Sequence, residues 1–569
     1  MNKKQKLELT WIGKENRPRL EPRILLEDME KSYHAAHRVT DRDIFDNRLI
    51  FGDNLLALKA LEQEFAGKIK CIYIDPPYNT GAAFTHYDDS LEHSLWLSLI
   101  RDRLEILHRL LTQDGIIFCS IDTTELYHAG LLFDEIFGRP NRLELFVWKK
   151  SYGGGAKSRY VVNQSEFIFC YSKNIEHLPP LFLPPDEKAM KYYKYKDEHY
   201  ESRGPYRLQP LATTSNDDRP NLRYHIKYKG QDIWPEKQWQ WSEERVSKAM
   251  TVNGIVFTDR NGKVTVSYKQ YLRDEEGEER QTKPTSIIDG YYTQHGTYES
   301  VALFGQENKF QFPKPEGLLR HLLEIGSSPG DIILDSFAGS GTTGAVAHKM
   351  GRRWIMVELG EHCHTHIIPR MKKVIDGTDQ DGISKTINWK GGGGFRYFRL
   401  APSLLERDKR GNWVISKEYN AAMLASAMAK HEGFIYNPDE TLYWKQGKST
   451  EKDFIFTTTH FITIEYLDGI HEEMQPDESL LICCKSFQEA CENRYENITV
   501  RKIPNMLLGR CEFGKDDYSL NIANLPWQSH DDAQADIPAE IRNKGKKSVK
   551  PSLKNQQGLF DEEGGKGHD

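Results

Sequence analysis

The ten residues DSFAGSGTTG, Asp335 to Gly344, constrain the fold more than any other stretch of the chain. The apolar run DIIL leads into them and TTGAVAHKM follows, so the order reads strand, tight glycine turn, helix. Gly339, Gly341 and Gly344 fit G-x-G-x-x-G, and the next apolar run, RRWIMVEL, ends at Glu358, about 20 residues on. Such units build parallel sheets with helices on both faces. The same rhythm occurs far upstream. NRLIFGDNLLALKAL reads as a strand, a turn at Gly52-Asp53 and a helix, and β-rich Ile69 to Ile74 is stopped by Pro76 and Pro77. LEHSLWLSLIRDRLEILHRLL carries Leu91, Leu95, Leu99, Leu107 and Leu110 along one helical face, with N-cap candidates at Asp88, Asp89 and Ser90. Asp114-Gly115 is expected to end that helix, with IIFCSID, LELFVWKK and EFIFCYSK as further strands. The predicted fold is α/β, with a doubly wound, mostly parallel sheet.

Bulk properties narrow the function. A chain of 569 residues suggests three or four domains. The net charge of −6 excludes a protein basic all over, so any nucleic-acid contact must be a local patch. No run approaches the ~18 apolar residues of a membrane helix, and the N-terminus lacks the apolar core of a secretory signal. The eight cysteines form no CxxC pair, and Cys71, Cys119 and Cys170 sit in strand-like runs, which predicts free thiols in the cytoplasm.

The chemistry lies in two motifs. Asp75-Pro76-Pro77-Tyr78 ends a buried strand, where open α/β sheets bind ligands. The Asp75 carboxylate and the Pro76 carbonyl offer two acceptors beside the flat ring of Tyr78, an arrangement suited to a planar base with an exocyclic amine. The glycine loop suits either a pyrophosphate or the carboxylate of S-adenosylmethionine, and alone it does not choose. The pair, in this order, resembles the amino-methylating DNA methyltransferases of circularly permuted type, in which DPPY comes first, then a target-recognition insert, then FxGxG. Here Phe337, Ala338, Gly339 and Gly341 supply FAGSG, and Lys314-Pro315 matches the pair ahead of the preceding helix.

The resemblance implies a permuted seven-stranded, Rossmann-like sheet and S-adenosylmethionine as methyl donor. Asp75, Pro76, Pro77 and Tyr78 would be catalytic. Asp335 with Thr342 or Thr343 would hold the methionine end, Phe337 would pack on the adenosine, Glu358 would bind ribose, Asp53 would reach the cofactor adenine and Lys314 would lie near its carboxylate. Asp at the head of the motif favours adenine N6 over cytosine N4, and Phe84 or Tyr87 would cover the flipped base. An RNA or protein methyltransferase, a nicotinamide or flavin enzyme and a catalytically silent DNA-binding subunit are the competing readings.

The expected organisation is an N-terminal extension (1–46), a catalytic half (47–150) with a last strand near 166–173, a target-recognition domain (151–305, including that strand), a cofactor half (306–390), a C-terminal α/β domain (395–530) and a disordered tail (536–569). In the insert, Lys157 and Arg159 are candidate DNA contacts, while Trp234, Trp239 and Trp241 read first as core. His362, Cys363, His364 and His366 lack a second ligand pair, so no metal is expected. The lead-in, the DPPYNTG form and the large C-terminal unit resemble the modification subunits of type III restriction–modification systems. That implies double-stranded DNA, a homodimer and a helicase–nuclease restriction subunit as partners. Gln556 to Phe560, QQGLF, resembles sliding-clamp docking motifs.

Overall fold

The computed structural model describes residues 8–78, 89–153, 160–185 and 187–519. Its centre is a sheet built in chain order from β1 (Leu25–Glu27), β2 (Tyr33–His34), β3 (Asn47–Phe51), β4 (Ile69–Ile74), β5 (Leu111–Ile121), β6 (Arg142–Lys149) and β7 (Ser165–Ser172). The insert supplies a three-stranded sheet, β8 (Tyr206–Pro210), β9 (Ile255–Arg260) and β10 (Lys263–Tyr271), and then β11 (Ile287–Ile288). The central sheet is completed by β12 (Ile332–Asp335), β13 (Arg353–Glu358) and β14 (Gly394–Leu400).

The order across the sheet is β1-β14-β3-β13-β12-β4-β5-β7-β6-β11, with β2 on β14. The seven strands from β3 to β6 are the predicted set, and within it β7 alone runs against its neighbours. The sheet extends beyond that set at both edges. Expected to open the C-terminal unit, Gly394–Leu400 instead pairs in parallel with β3, and β1 and β2 of the N-terminal extension pair with it. The short β11 returns the insert to the β6 edge.

Period-two alternation explains the layering. Ile72, Ile74, Ile117 and Cys119 face one side, against α1 (Asn54–Phe65), α2 (Asp89–Leu110) and α3 (Leu126–Phe133). Cys71, Tyr73, Ile116 and Phe118 face the other, against α4 (Glu316–Gly326), α5 (Thr342–Lys349) and α6 (Ile368–Ile375). β5 starts at Leu111, directly after α2, rather than beyond Asp114-Gly115. Ile69 already pairs with Leu111, the register then shifts, and Lys70 Nζ donates to the Asp114 carbonyl and carboxylate across the irregularity.

The insert has its own small core of Leu211, Ile226, Trp239, Val246, Ile255 and Val266. Trp239 is buried there and Trp241 packs at its margin, whereas Trp234 is exposed. The C-terminal unit is a five-stranded sheet whose parallel members are β15 (Asp453–Ile462), β16 (Ser479–Phe487) and β17 (Ile498–Lys502), with α7 (Ala421–His431) and α8 (Ile464–Glu473). Its core includes Ile24 of the N-terminal extension with Ala401 and Leu404, which ties it to the edge of the central sheet.

Candidate active site

The strands β12, β13 and β4 end side by side, and the loops that leave them enclose a cavity of about 970 Å³. Asp75 to Tyr78 form one part of its wall and Ser336 to Ser340 another. The two motifs, distant in sequence, therefore share one space because β12 lies between β4 and β13.

The glycine loop is held by its own acids. Asp335 accepts from Phe337 N (2.9 Å) and from the Thr343 hydroxyl (2.6 Å). Burial pushes the Asp335 carboxyl up to about 7; those two donors oppose the rise, and the nearby Asp75 and Glu358 charges add to it. Glu358 Oε2 accepts from Gly339 N (2.8 Å), while its other oxygen accepts from Leu359 N and Gly360 N and pairs with His362. Gly339 and Gly341 have φ of 54° and 74°, a region that favours glycine, and a Cβ on Gly341 would press on Ile367. Gly341 lies behind the cavity, whereas Phe337, Ala338, Gly339, Thr342 and Thr343 line it. Thr342 accepts from Arg370, which reaches back to Glu316 and its buried partner Lys349 beneath the loop.

The proline-rich wall is more heavily charged than its sequence indicates. Tyr78 OH donates to Asp75 Oδ1 (2.7 Å), and Trp96 Nε1 donates to the Pro77 carbonyl (2.7 Å). The Pro76 carbonyl has no hydrogen-bond partner among the described residues. Lys314 Nζ donates to both Asp75 oxygens (2.9 and 2.8 Å) and to Tyr78 OH (2.8 Å), and lies 3.5 Å from Glu166. Lys314, expected near a cofactor carboxylate, is thus placed against Asp75 and Tyr78 in the same cavity wall. Burial disfavours the Glu166 charge, but Lys314 and Lys150 outweigh it and hold the Glu166 carboxyl below its usual range. Glu166 and Lys150 escaped the sequence reading. The available signal was an acid heading the otherwise apolar run EFIFCYSK.

Asp53, expected to reach the cofactor adenine, also has partners within the protein. It lines the cavity, yet Oδ1 accepts from Leu55 N and Leu56 N as the cap of α1, and Oδ2 accepts from Tyr518 N (3.0 Å) and pairs with Arg103 (3.5 Å). Asp53 thus accepts three protein N–H bonds beside its ion pair with Arg103. Phe84, Tyr87, Lys157, Arg159 and the tail motif Gln556 to Phe560 lie outside the described residues.

The clustered histidines point to different partners: His362 to Glu358, His364 to Tyr397 and His366 to the Asn308 carbonyl, with Cys363 buried. Elsewhere, His93, Glu125 and His128 bring one ligand atom each within 4.8 Å of one another, and each imidazole meets a different oxygen of the Glu125 carboxylate.

A glycine loop at the carboxyl edge of a doubly wound sheet thus faces two acceptors and an aromatic ring across one Rossmann-like cavity. The chain belongs to the DNA methylase family, whose model matches residues 69–369. It is 32% identical over 439 residues to a probable type III restriction-modification enzyme Mod subunit, HindVI, of Haemophilus influenzae, covering 66% of this chain and 56% of that protein. It is 30% identical over 436 residues to the EcoPI Mod subunit of Escherichia phage P1, covering 66% and 65%. It is also 29% identical over 326 residues to the type II methyltransferase M.EcaI of Enterobacter cloacae, covering 55% and 67%. The match thus spans little more than half the length of the Haemophilus protein.

Proposed function

We propose that this chain transfers the methyl group of S-adenosylmethionine to the N6 amine of an adenine flipped out of double-stranded DNA. The observation that carries this reading is the single cavity lined both by Asp75 to Tyr78 and by the glycine loop. The residues suit the donor. Asp335 is a buried acid able to meet an ammonium, and the buried Ser336 hydroxyl lines the cavity without a hydrogen-bond partner among the described residues. Phe337 offers an apolar face, and Glu358, though occupied by backbone N–H groups, is set at the cavity edge for ribose.

The sulfonium supplies an already electrophilic methyl group, so the protein's work is alignment more than proton abstraction. The Asp75 carboxylate and the Pro76 carbonyl accept the two N6 hydrogens, which favours a pyramidal nitrogen with its lone pair aimed across the cavity. Tyr78 stacks on the base, which must leave the duplex to reach this depth. Lys314 fixes the Asp75 carboxylate and, with Lys150, offsets the Glu166 charge.

The insert between β7 and β11 is the natural reader of sequence, since it is a separately cored unit continuous with the catalytic strands. The likeness to Mod subunits of restriction-modification enzymes supports a restriction subunit as partner, a helicase–nuclease in this reading, with the chain itself acting as a homodimer. A DNA substrate and eight free cysteines fit the cytoplasm. Long-read sequencing of DNA from cells expressing the chain, beside an Asp75→Ala control, tests the reading. N6-methyladenine at one recurrent site, absent in the control, is expected; unmodified DNA from the wild-type strain would refute it, and N4-methylcytosine would correct the target base.

A further inference from the structure

The C-terminal unit does not end at its own sheet. After β17 the chain turns back, and residues 513–519 lie along the catalytic core. Gly514 N donates to Ser403 Oγ (2.7 Å), the buried Arg23 donates to the Lys515 carbonyl (2.9 Å) and pairs with Asp516, and Tyr518 OH donates to Glu512 (3.0 Å). Tyr518 is buried in the same apolar cluster as Leu55 and Leu99. Its amide donates to Asp53, and its carbonyl accepts from the buried Arg103. Ser519, the next residue, lines the central cavity together with Asp53, Asn54 and Arg103.

We infer that residues 513–519 complete the wall of the cofactor site through Ser519, and that Asp53 serves this wall by anchoring Tyr518. This rests on the proposed function, because it assigns to the donor's adenine the end of the cavity that Asp53 borders.

The Asp53 carboxylate accepts from Leu55 N, Leu56 N and Tyr518 N and lies 3.5 Å from Arg103, so one buried acid fastens the segment to the start of α1 at the cavity edge. A buried aspartate and arginine that clamp the peptide groups before and after Tyr518 specify where each sits, and the second leads into Ser519. The residue carried by this clamped peptide is a small polar one facing the ligand space. The C-terminal unit thus contributes a side chain to the site, and cofactor binding and docking of the segment must favour each other by the same factor.

The test uses the full chain and S-adenosylmethionine. Hydrogen exchange is expected to show the Tyr518 amide protected further on addition of saturating cofactor. Titration calorimetry is expected to show about tenfold weaker cofactor binding for Ser519→Phe, which puts a ring into the cavity. Tyr518→Pro, which lacks the amide donated to Asp53, is expected to bind more weakly than Tyr518→Ala, which keeps it while losing the same ring. Circular dichroism establishes that each variant is folded, and Ser519→Phe, at a half-buried position, guards against misfolding of the Tyr518 variants. Wild-type binding with unchanged Tyr518 exchange and an unaffected Ser519→Phe would overturn this inference alone. No cofactor binding by the wild type would overturn the proposed function and this inference with it.

Discussion

Replacing Lys314 with methionine removes a cation that touches both Asp75 and Tyr78. Its ammonium donates to both Asp75 oxygens and lies 3.5 Å from Glu166. At an effective dielectric of about 20, unit charges at such a separation attract by about 5 kcal/mol. The cost of burying the ammonium offsets part of that, but deleting one member of a buried pair still costs about 3–5 kcal/mol. The lower end applies, because the Asp75 side chain is 26% exposed and Lys150 still faces Glu166. About 3 kcal/mol corresponds to roughly 100-fold in kcat/KM.

The pH dependence gives a second readout. In the wild type the Glu166 carboxyl is held below its usual range, so the charge is present above the ordinary carboxylate pKa and is lost only as pH falls through the depressed folded value. Without Lys314 the folded value rises, and the acid limb of the rate profile must move to higher pH. The assay is transfer of labelled methyl from S-adenosylmethionine to DNA between pH 5 and pH 9. Activity of Lys314→Met within threefold of wild type, with no acid limb entering that range, would refute this account of the cluster.

Other consequences concern the donor site and the scaffold. The Asp335 carboxyl sits near 7 without ligand, and a bound ammonium favours its charged form, so cofactor affinity is expected to rise as pH increases through about 7; calorimetry of Asp335→Asn should give a flat profile. The same raised pKa means that Asp335 subtracts stability as pH climbs from its unfolded value towards about 7, a slope that Asp335→Asn should also lack in urea melts. Tyr78→Phe keeps the stacking ring but loses the 2.7 Å bond to Asp75, and should lower kcat about tenfold with little change in cofactor affinity. Lys349→Met leaves the buried Glu316 short of a partner and should cost about 3–5 kcal/mol in chemical denaturation. Gly344→Ala would place a methyl group 2.3 Å from Met356 Cε and should cost about 1–3 kcal/mol in the same measurement.

Local chemistry made much of this architecture legible. Apolar runs of alternating period marked β3 to β7, β12 and β13, and paired prolines and glycines marked where the loops leave them. The chemistry of DPPY and the glycine loop needs no knowledge of neighbours, because each motif carries its acceptors or its turn within a few residues. What lay beyond the reach of the sequence depends on distant partners. Lys314 belongs to Asp75 because α4 starts beside β4, which no spacing reveals. β14 looked like the start of a new unit after Gly391 to Gly394, since nothing in FRYFRL distinguishes an added strand of one sheet from the first strand of another. Asp53 was recognised as a residue of the cavity edge, but its commitment to Tyr518 joins segments from opposite ends of the chain.

The neighbours in the central sheet have a consequence for how the chain is made. β4 and β5 are synthesised early, yet the other side of β4 is covered only by β12, where Ile333 sits beside Cys71. Until the intervening insert has left the ribosome, an apolar strand edge stays open to any passing β-segment, and the pairing that closes it is among the slowest kind to form. Expression at low temperature or with a holding chaperone should therefore improve yield more than any surface substitution, because the hazard lies in the waiting time and not in the finished molecule.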